Sequence, residues 1–343
     1  MSSAPSAAGA GPRHSAGRRR GRGRGRHDPN ATVPPAVFTS YYGRPVVKPS
    51  PWERDIPAYL FLGGLAGGSS LLAAGAAASN RPALRRHGRI TAFAAISLSF
   101  AALVHDLGRP ARFLHMLRVI KPTSPMSVGT WLLAGYGPLA AIAALGEMAA
   151  ATGSSRLPFR AFSSLRAPAG LGASLLAPAV ATYTAVLLTD TATPAWSAAR
   201  KEMPFVFAGS AAAAAGGLAM VTVPVEQAGP ARRLAIAGAL AELGAQQVMA
   251  TSMGLAAETL TEGSAGSWHR LARAGTVGGA ALALAGARSR TAAALAGLAL
   301  ATGSLATRFA IFEAGQASAK DPKYTVVPQR ERLDLVADGR PAG

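Results

Sequence analysis

The chain has 343 residues, half of them apolar, with only 15% charged and a formal net charge of +19. That balance excludes an ordinary soluble domain and points to a membrane protein. No cysteine is present, which excludes structural disulfides and any iron–sulfur cluster held by this chain, since both need its thiolates.

Taken in chain order, residues 1–48 form the first unit. Arg18 to Arg26 alternates Arg with Gly after an Arg triplet, and such a segment, unable to build a core, is expected to be disordered. A Gly-spaced basic tract can bind nucleic acid through phosphates, but no aromatic residue interleaves with these arginines, so nucleic acid is not an expected partner. Retention on the cytoplasmic side or contact with anionic lipid is the simpler use. No apolar segment closely follows Arg18 to Arg20, so a twin-arginine export signal is not expected and the tail is read as uncleaved.

Polar breaks then divide the apolar material into eight candidate spans, at 56–79, 88–105, 127–151, 168–190, 203–224, 233–257, 271–287 and 291–312. The first holds no Asp, Glu, Lys or Arg. At about 1.5 Å per residue it exceeds the roughly 30 Å of a hydrocarbon core. The seventh is the weakest, because the uncharged run between Arg273 and Arg288 is shorter than a usual crossing, and Arg snorkelling with Trp268 would have to complete it. The expected fold is therefore an all-α polytopic membrane bundle of about eight transmembrane helices. Residues 49–315 make the membrane domain and 316–343 a C-terminal extramembrane tail.

Glycines at 63, 64, 67 and 68, and at 275, 278 and 279, are expected at close helix contacts, where small residues let backbones approach in lipid. LFLGGLAGGSS has no Lys of a Walker motif, so it is not read as a phosphate loop. Short-connector charges are nearly balanced between the two faces; the basic tail tips the expectation to both termini in the cytoplasm of a bacterial-type plasma membrane.

Ionisable groups at membrane depth are costly and mark candidate sites. Glu147, Asp190 and Glu313 lie near predicted ends and are expected to reach interfacial water. Glu242 lies well inside its span, with Gln246 one turn on, so the two share a helix face. That seam suits a proton relay, a quinone pocket or an interhelical hydrogen bond. Of six His, only His105 is near a span interior, so neither a bis-His haem nor a clustered metal site is expected.

The segment after the second span is the most loaded. HDLGRP sets an acid, a turn Gly and an Arg before Pro110, which takes the chain out of its helix. ARFLHMLRVIK then places Arg112, Phe113, Met116, Leu117 and Ile120 at helical spacing, as in a short helix along the interface. PTSPMSVGTW re-enters the membrane with Ser127 as the expected N-cap and Trp131 near the headgroups.

PWERDIPAYLFLGGLAGGSS at the first span, DLGRPARFLHMLRVIKPTSPMSVGTW after the second and FEAGQASAKDPKYTVVPQR near the C-terminus resemble the NrfD/PsrC family, the membrane subunits of polysulfide-reductase-type molybdoenzyme complexes. The resemblance runs from about Pro49 to Arg332. It implies an eight-span subunit without haem that exchanges menaquinone or ubiquinone near one face, where a four-cluster iron–sulfur protein docks and connects it to a molybdopterin catalytic subunit.

A quinone needs an apolar slot with a donor or proton carrier at each carbonyl. His105 and Asp106 are the candidate proton-exchanging pair, with Arg109 beside them, and Tyr136, Tyr59 and Glu242 are further candidates. The resemblance places a tyrosine in the region of Tyr136; either tyrosine would otherwise be an interfacial anchor. Arg109, Arg112, Arg118 and Lys121 are candidates for docking an acidic patch on the iron–sulfur subunit or for lipid headgroups. Asp321, Lys323 and Tyr324 are candidate partner contacts on the same side. The alternative function is an ion or small-solute transporter in which Glu242, Gln246 and Arg308 line a pathway.

Overall fold

The computed structural model describes residues 45–109, 115–153, 157–285 and 289–337. Every regular element among them is helical: α1 (Asp55–Ala78), α2 (Pro82–Asp106), α3 (Pro125–Thr152), α4 (Leu157–Thr189), α5 (Pro194–Ala198), α6 (Met203–Thr222), α7 (Gly229–Ser252), α8 (Gly263–Ala285), α9 (Arg290–Lys320) and α10 (Lys323–Ala337), with a 3-10 segment at Gly254–Leu260. Six of these, α1, α2, α3, α4 from Arg160 onward, α6 and α9, are long and apolar enough to cross a membrane. Helices α7 and α8 have comparable length but carry Glu242, Gln246 and Gln247, or His269, Arg270 and Arg273. The basic tail, apart from its last residues, lies outside the described residues.

Local chemistry explains the ends. Pro stands in the first turn of α2, α3 and α5, where its missing N–H is not needed. Gly108 turns the chain out of α2 at a φ of 64°, and Gly153 ends α3 at a φ of 62°, both in the left-handed region that favours glycine. At the far end of α6, the Arg290 guanidinium donates to the carbonyls of Met220, Val221 and Val223, groups that have no partner within their own helix.

The long helices pack as two groups with the same contact pattern. Helix α1 packs on α2 and α4 while α3 packs on α4 and α2; in the second group α6 packs on α7 and α9 while α8 packs on α9 and α7. The sequence shows no such repeat. Helices α1 and α6 join the groups, and α1 meets both neighbours through adjacent glycines. A Cβ on Gly67 would stand 2.7 Å from the Ala177 carbonyl oxygen of α4, and one on Gly68 2.6 Å from that of Ala211 on α6. Both distances are below contact, so this wedge requires glycine, as expected from the small-residue spacing.

Several expectations need correction. The seventh candidate span corresponds to helix α8 of 23 residues, which starts upstream at Gly263 rather than at residue 271; its weakness as a crossing stands, since it is not among the helices apolar enough to span. Arg270 and Arg273 are exposed and Trp268 stacks on Phe309 with centroids 4.8 Å apart. The sixth candidate span, helix α7, ends at Ser252 and the chain continues as 3-10 structure instead of remaining α-helical to residue 257. Ser127 does not cap α3, whose N-cap is Ser124 without a side-chain bond. Its hydroxyl instead accepts from the Lys121 N–H at 3.0 Å and donates to the Val119 carbonyl at 2.9 Å, and Trp131 Nε1 donates to the same carbonyl at 3.1 Å. Both side chains thus pin the connector's return. Of the expected surface helix, residues 110–114 lie outside the described residues; His115 and Met116 are helical and Leu117 and Arg118 form a turn.

Helix α5 is short enough to escape a hydropathy reading, yet its Trp196 is a core residue. The indole donates to the Ile311 carbonyl at 2.8 Å and packs against Trp52 and Phe312, centroids 5.9 and 5.8 Å away. Its ring occupies the space a Cβ on Gly315 would need. Gly315→Ala is therefore expected to destabilise by about 1–3 kcal/mol through overpacking, against the gain of roughly 0.5–1 kcal/mol that Ala brings to an ordinary helix interior. Thermal unfolding in detergent decides the sign; a more stable variant would mean that the indole yields freely.

Candidate functional site

The ends of four helices enclose a cavity of about 210 Å³. Trp52, Ile56 and Tyr59 come from the start of α1 and its lead-in, Leu103 and Asp106 from the end of α2, Met126, Thr130 and Leu133 from the start of α3, and Tyr183 and Leu187 from α4. Met116 of the connector completes the wall. Apolar side chains dominate, and the ionisable or hydroxyl-bearing members are few: Asp106, Tyr59, Tyr183 and Thr130.

The polar members are already oriented. The Tyr59 and Tyr183 hydroxyls hydrogen-bond to each other across the α1–α4 contact. Gly129 makes room for this pair, since a Cβ there would lie 2.5 Å from Tyr183 Cε2. Thr130 spends its hydroxyl proton on the Met126 carbonyl at 2.8 Å. Asp106 Oδ1 accepts the Glu53 backbone N–H at 3.4 Å, leaving acceptor capacity toward the cavity. Beside it, His105 Nδ1 meets Asp55 Oδ2 at 2.6 Å, with the imidazole 80% exposed. The exposed imidazole therefore stands one residue away from the cavity wall. Gln316 of α9 fixes the lead-in to α1 by donating to the Ser50 and Trp52 carbonyls at 3.1 and 3.2 Å.

Of the quinone or proton candidates, the structure brings Tyr59 and Asp106 into this wall and sets His105 next to it. Arg109 is exposed in the turn after α2. Tyr136 is placed elsewhere. It is fully buried between α1 and α3, donating to the Ala66 carbonyl at 2.8 Å and bonded to Ser70 Oγ at 2.7 Å, and it lines no part of the cavity. Tyr183 and Trp52 were not among the sequence candidates. Tyr183 carried the same signal as Tyr59, a tyrosine in an apolar span, but nothing in the sequence says which two spans touch.

Glu242 lies in the second helix group. It is 0% exposed, with Oε1 accepting from Thr307 at 2.6 Å and Gln246 at 3.1 Å. The equally buried Arg308 donates Nη2 to the Phe207 carbonyl at 3.0 Å and stacks on that residue's ring, its Cζ 3.5 Å from the centroid. Glu242 Oε2, Gln246 Oε1, Arg308 Nε and Arg308 Nη1 have no protein partner. Buried polar atoms left in this way call for internal water.

Glu147 does not reach water as expected. Its carboxylate is 2% exposed and bridges Arg85 Nε and Arg89 Nη1, both at 2.7 Å, at the opposite ends of the helices from the cavity. Asp190 is exposed, and Glu313 accepts from Ser264 at 3.1 Å.

Among the docking candidates, Arg118 and Lys121 are exposed on the connector and Arg112 lies outside the described residues. Asp321 Oδ1 accepts the Lys323 N–H at 2.9 Å, Lys323 Nζ reaches Glu258 Oε2 at 3.0 Å, and Tyr324 is buried beneath it. The hydrogen bond to Glu258 holds the Lys323 ammonium above the usual lysine range. Because this pair stands in water it adds little to stability, but it ties the C-terminal segment to the 3-10 segment.

No curated protein matches the chain. The family model described as Polysulphide reductase, NrfD, matches residues 46–319, which takes in the cavity, the connector and both helix groups, and the chain belongs to that family.

Proposed function

We propose that the chain is the quinone-reactive membrane subunit of a multi-subunit oxidoreductase, with all eight long helices crossing the plasma membrane. The observation that carries the proposal is the apolar cavity with its tyrosine pair and single carboxylate beside the exposed connector. An apolar cavity of about 150 Å³ accepts benzene, so about 210 Å³ suits a substituted quinone ring. The chemistry supplied by the quinone is the exchange of two electrons and two protons between quinone and quinol.

The chain's own residues would position the ring and handle the protons. The Tyr59–Tyr183 pair, with one proton held in its mutual bond, presents the other to one carbonyl oxygen, and Asp106 takes up or returns a proton at the mouth, with the His105–Asp55 pair passing it to or from water. The electrons must leave or arrive through another chain, since this one has no thiolate to hold a cluster. An iron–sulfur protein carrying four clusters, itself joined to a molybdopterin catalytic subunit, fits that need. The exposed basic connector, with Arg109, Arg118 and Lys121, supplies the docking surface. Proton movement through the second helix group belongs to the same proposal and rests on the unpartnered atoms of Glu242, Gln246 and Arg308.

Purification from its native host in mild detergent tests this reading. Iron, acid-labile sulfide and molybdenum or tungsten are expected to co-elute with the chain in fixed ratio. A partner-free protein that moves solute in liposomes would instead establish the transporter alternative.

A further inference from the structure

The cavity is too small for a whole membrane quinone. Its 210 Å³ accommodates a ring but not a ring with a long isoprenoid tail. Immediately next to it, between α2 and α3, lies an apolar groove of about 580 Å³ that is more open to the surroundings. Phe93, Ile96, Phe100 and Val104 form one wall and Ala134, Gly137, Pro138 and Ala141 the other, with Ser97 as the one hydroxyl.

Two features join groove and cavity. Leu133 belongs to both walls. The consecutive connector residues Met116 and Leu117 line one each, Met116 the cavity and Leu117 the groove. On α3, the groove wall is made small by Ala134, Gly137 and Ala141, which repeat along one face of the helix. Pro138 in the helix interior removes an N–H and favours a bend at this depth.

We infer that the groove between α2 and α3 holds the isoprenoid tail of the quinone whose ring occupies the cavity, the tail passing over Leu133. The inference rests on the quinone reading above and adds the path of the tail and a source of tail-length preference. Small residues on α3 leave room for the chain, and Phe93 and Phe100 give it a flat apolar surface. Every methylene laid in the groove leaves lipid for protein, so affinity should come from packing rather than from removal of water.

The test is binding by the full chain in nanodiscs of phosphatidylethanolamine and phosphatidylglycerol, read by quenching of tryptophan fluorescence, since Trp52 lines the cavity. The ligands are tail-free menadione and a long-tailed menaquinone, and the proteins are the wild type and the Ala134→Phe/Ala141→Phe variant. Filling the groove is expected to weaken the long-tailed ligand by about tenfold and to leave menadione within about twofold, which also reports that the variant is folded. Equal weakening of both ligands, or of neither, overturns the tail path. If the variant loses co-purified phospholipid while its menaquinone affinity stays unchanged, the groove is an acyl-chain site and the inference is wrong. Failure of the wild type to bind menadione would instead remove the quinone reading itself.

Discussion

Glu147→Gln is expected to lower the unfolding free energy by about 3–5 kcal/mol, the range found when one partner of a buried ion pair is removed and the other stays charged. The carboxylate is 2% exposed and shares Oε1 between Arg85 and Arg89 at 2.7 Å, while Arg85 Nη2 adds a bond to Oε2 at 3.3 Å. Glutamine keeps the volume and one acceptor but removes the charge, leaving two guanidinium groups one turn apart on the same face of α2 without their shared anion. Arg166 of α4 lies close by, since a Cβ on neighbouring Gly146 would meet its Cβ at 2.5 Å, so a third positive charge adds to the repulsion once the carboxylate is neutralised. Arg85 is partly exposed and its share is screened, which places the effect toward the lower end of the range. The thermal midpoint in detergent should fall by about 10 °C. A fall of only one or two degrees would mean that water already solvates the cluster. Combining Glu147→Leu with Arg85→Leu and Arg89→Met should recover much of the loss, because apolar packing replaces a buried pair at little cost.

Asp106→Asn should reduce quinone-linked turnover of the complex by about 10²–10⁴-fold, the usual contribution of a positioned acid or base. Asp106 is the carboxylate in the cavity wall, and asparagine keeps its acceptor for the Glu53 N–H while losing the exchangeable proton. Activity of the catalytic partner with an artificial dye should be unchanged, because the dye bypasses the cavity. The comparison separates lost proton transfer from lost assembly. His105→Gln is expected to do less, since its exposed imidazole has water as a substitute. Quinone turnover within threefold of wild type for Asp106→Asn would remove the carboxylate from the proton path.

The two sites differ in how far they could be read from sequence. Asp106 stood out because it opens the HDLGRP turn, a local pattern of acid, Gly and Pro. Glu147 lay near the end of an apolar span and so resembled an interfacial residue. Its partners, Arg85 and Arg89, are more than fifty positions away, at the start of another helix, and nothing local marks them as its neighbours. The start of α8 was hidden for a related reason: the uncharged run begins only after Arg273, whereas the backbone continues its ladder upstream to Gly263 with the arginines turned outward. Charge on one face does not end a helix whose other face is packed.

The sequence by itself determined the membrane class, the approximate places of the long helices, the absence of any cluster-binding thiolate and the loaded connector that carries the family resemblance. These are local properties, because a helix in lipid satisfies its backbone hydrogen bonds within its own segment. Only the tertiary structure decided which helices are neighbours. That choice brought Tyr183 to Tyr59, put Tyr136 in the core against Ala66 rather than in the cavity, and enclosed Glu147 between arginines. It also set the groove beside the cavity. Each depends on side chains far apart in sequence meeting where glycines allow close approach, and no periodicity within a single span encodes the partner on the other side.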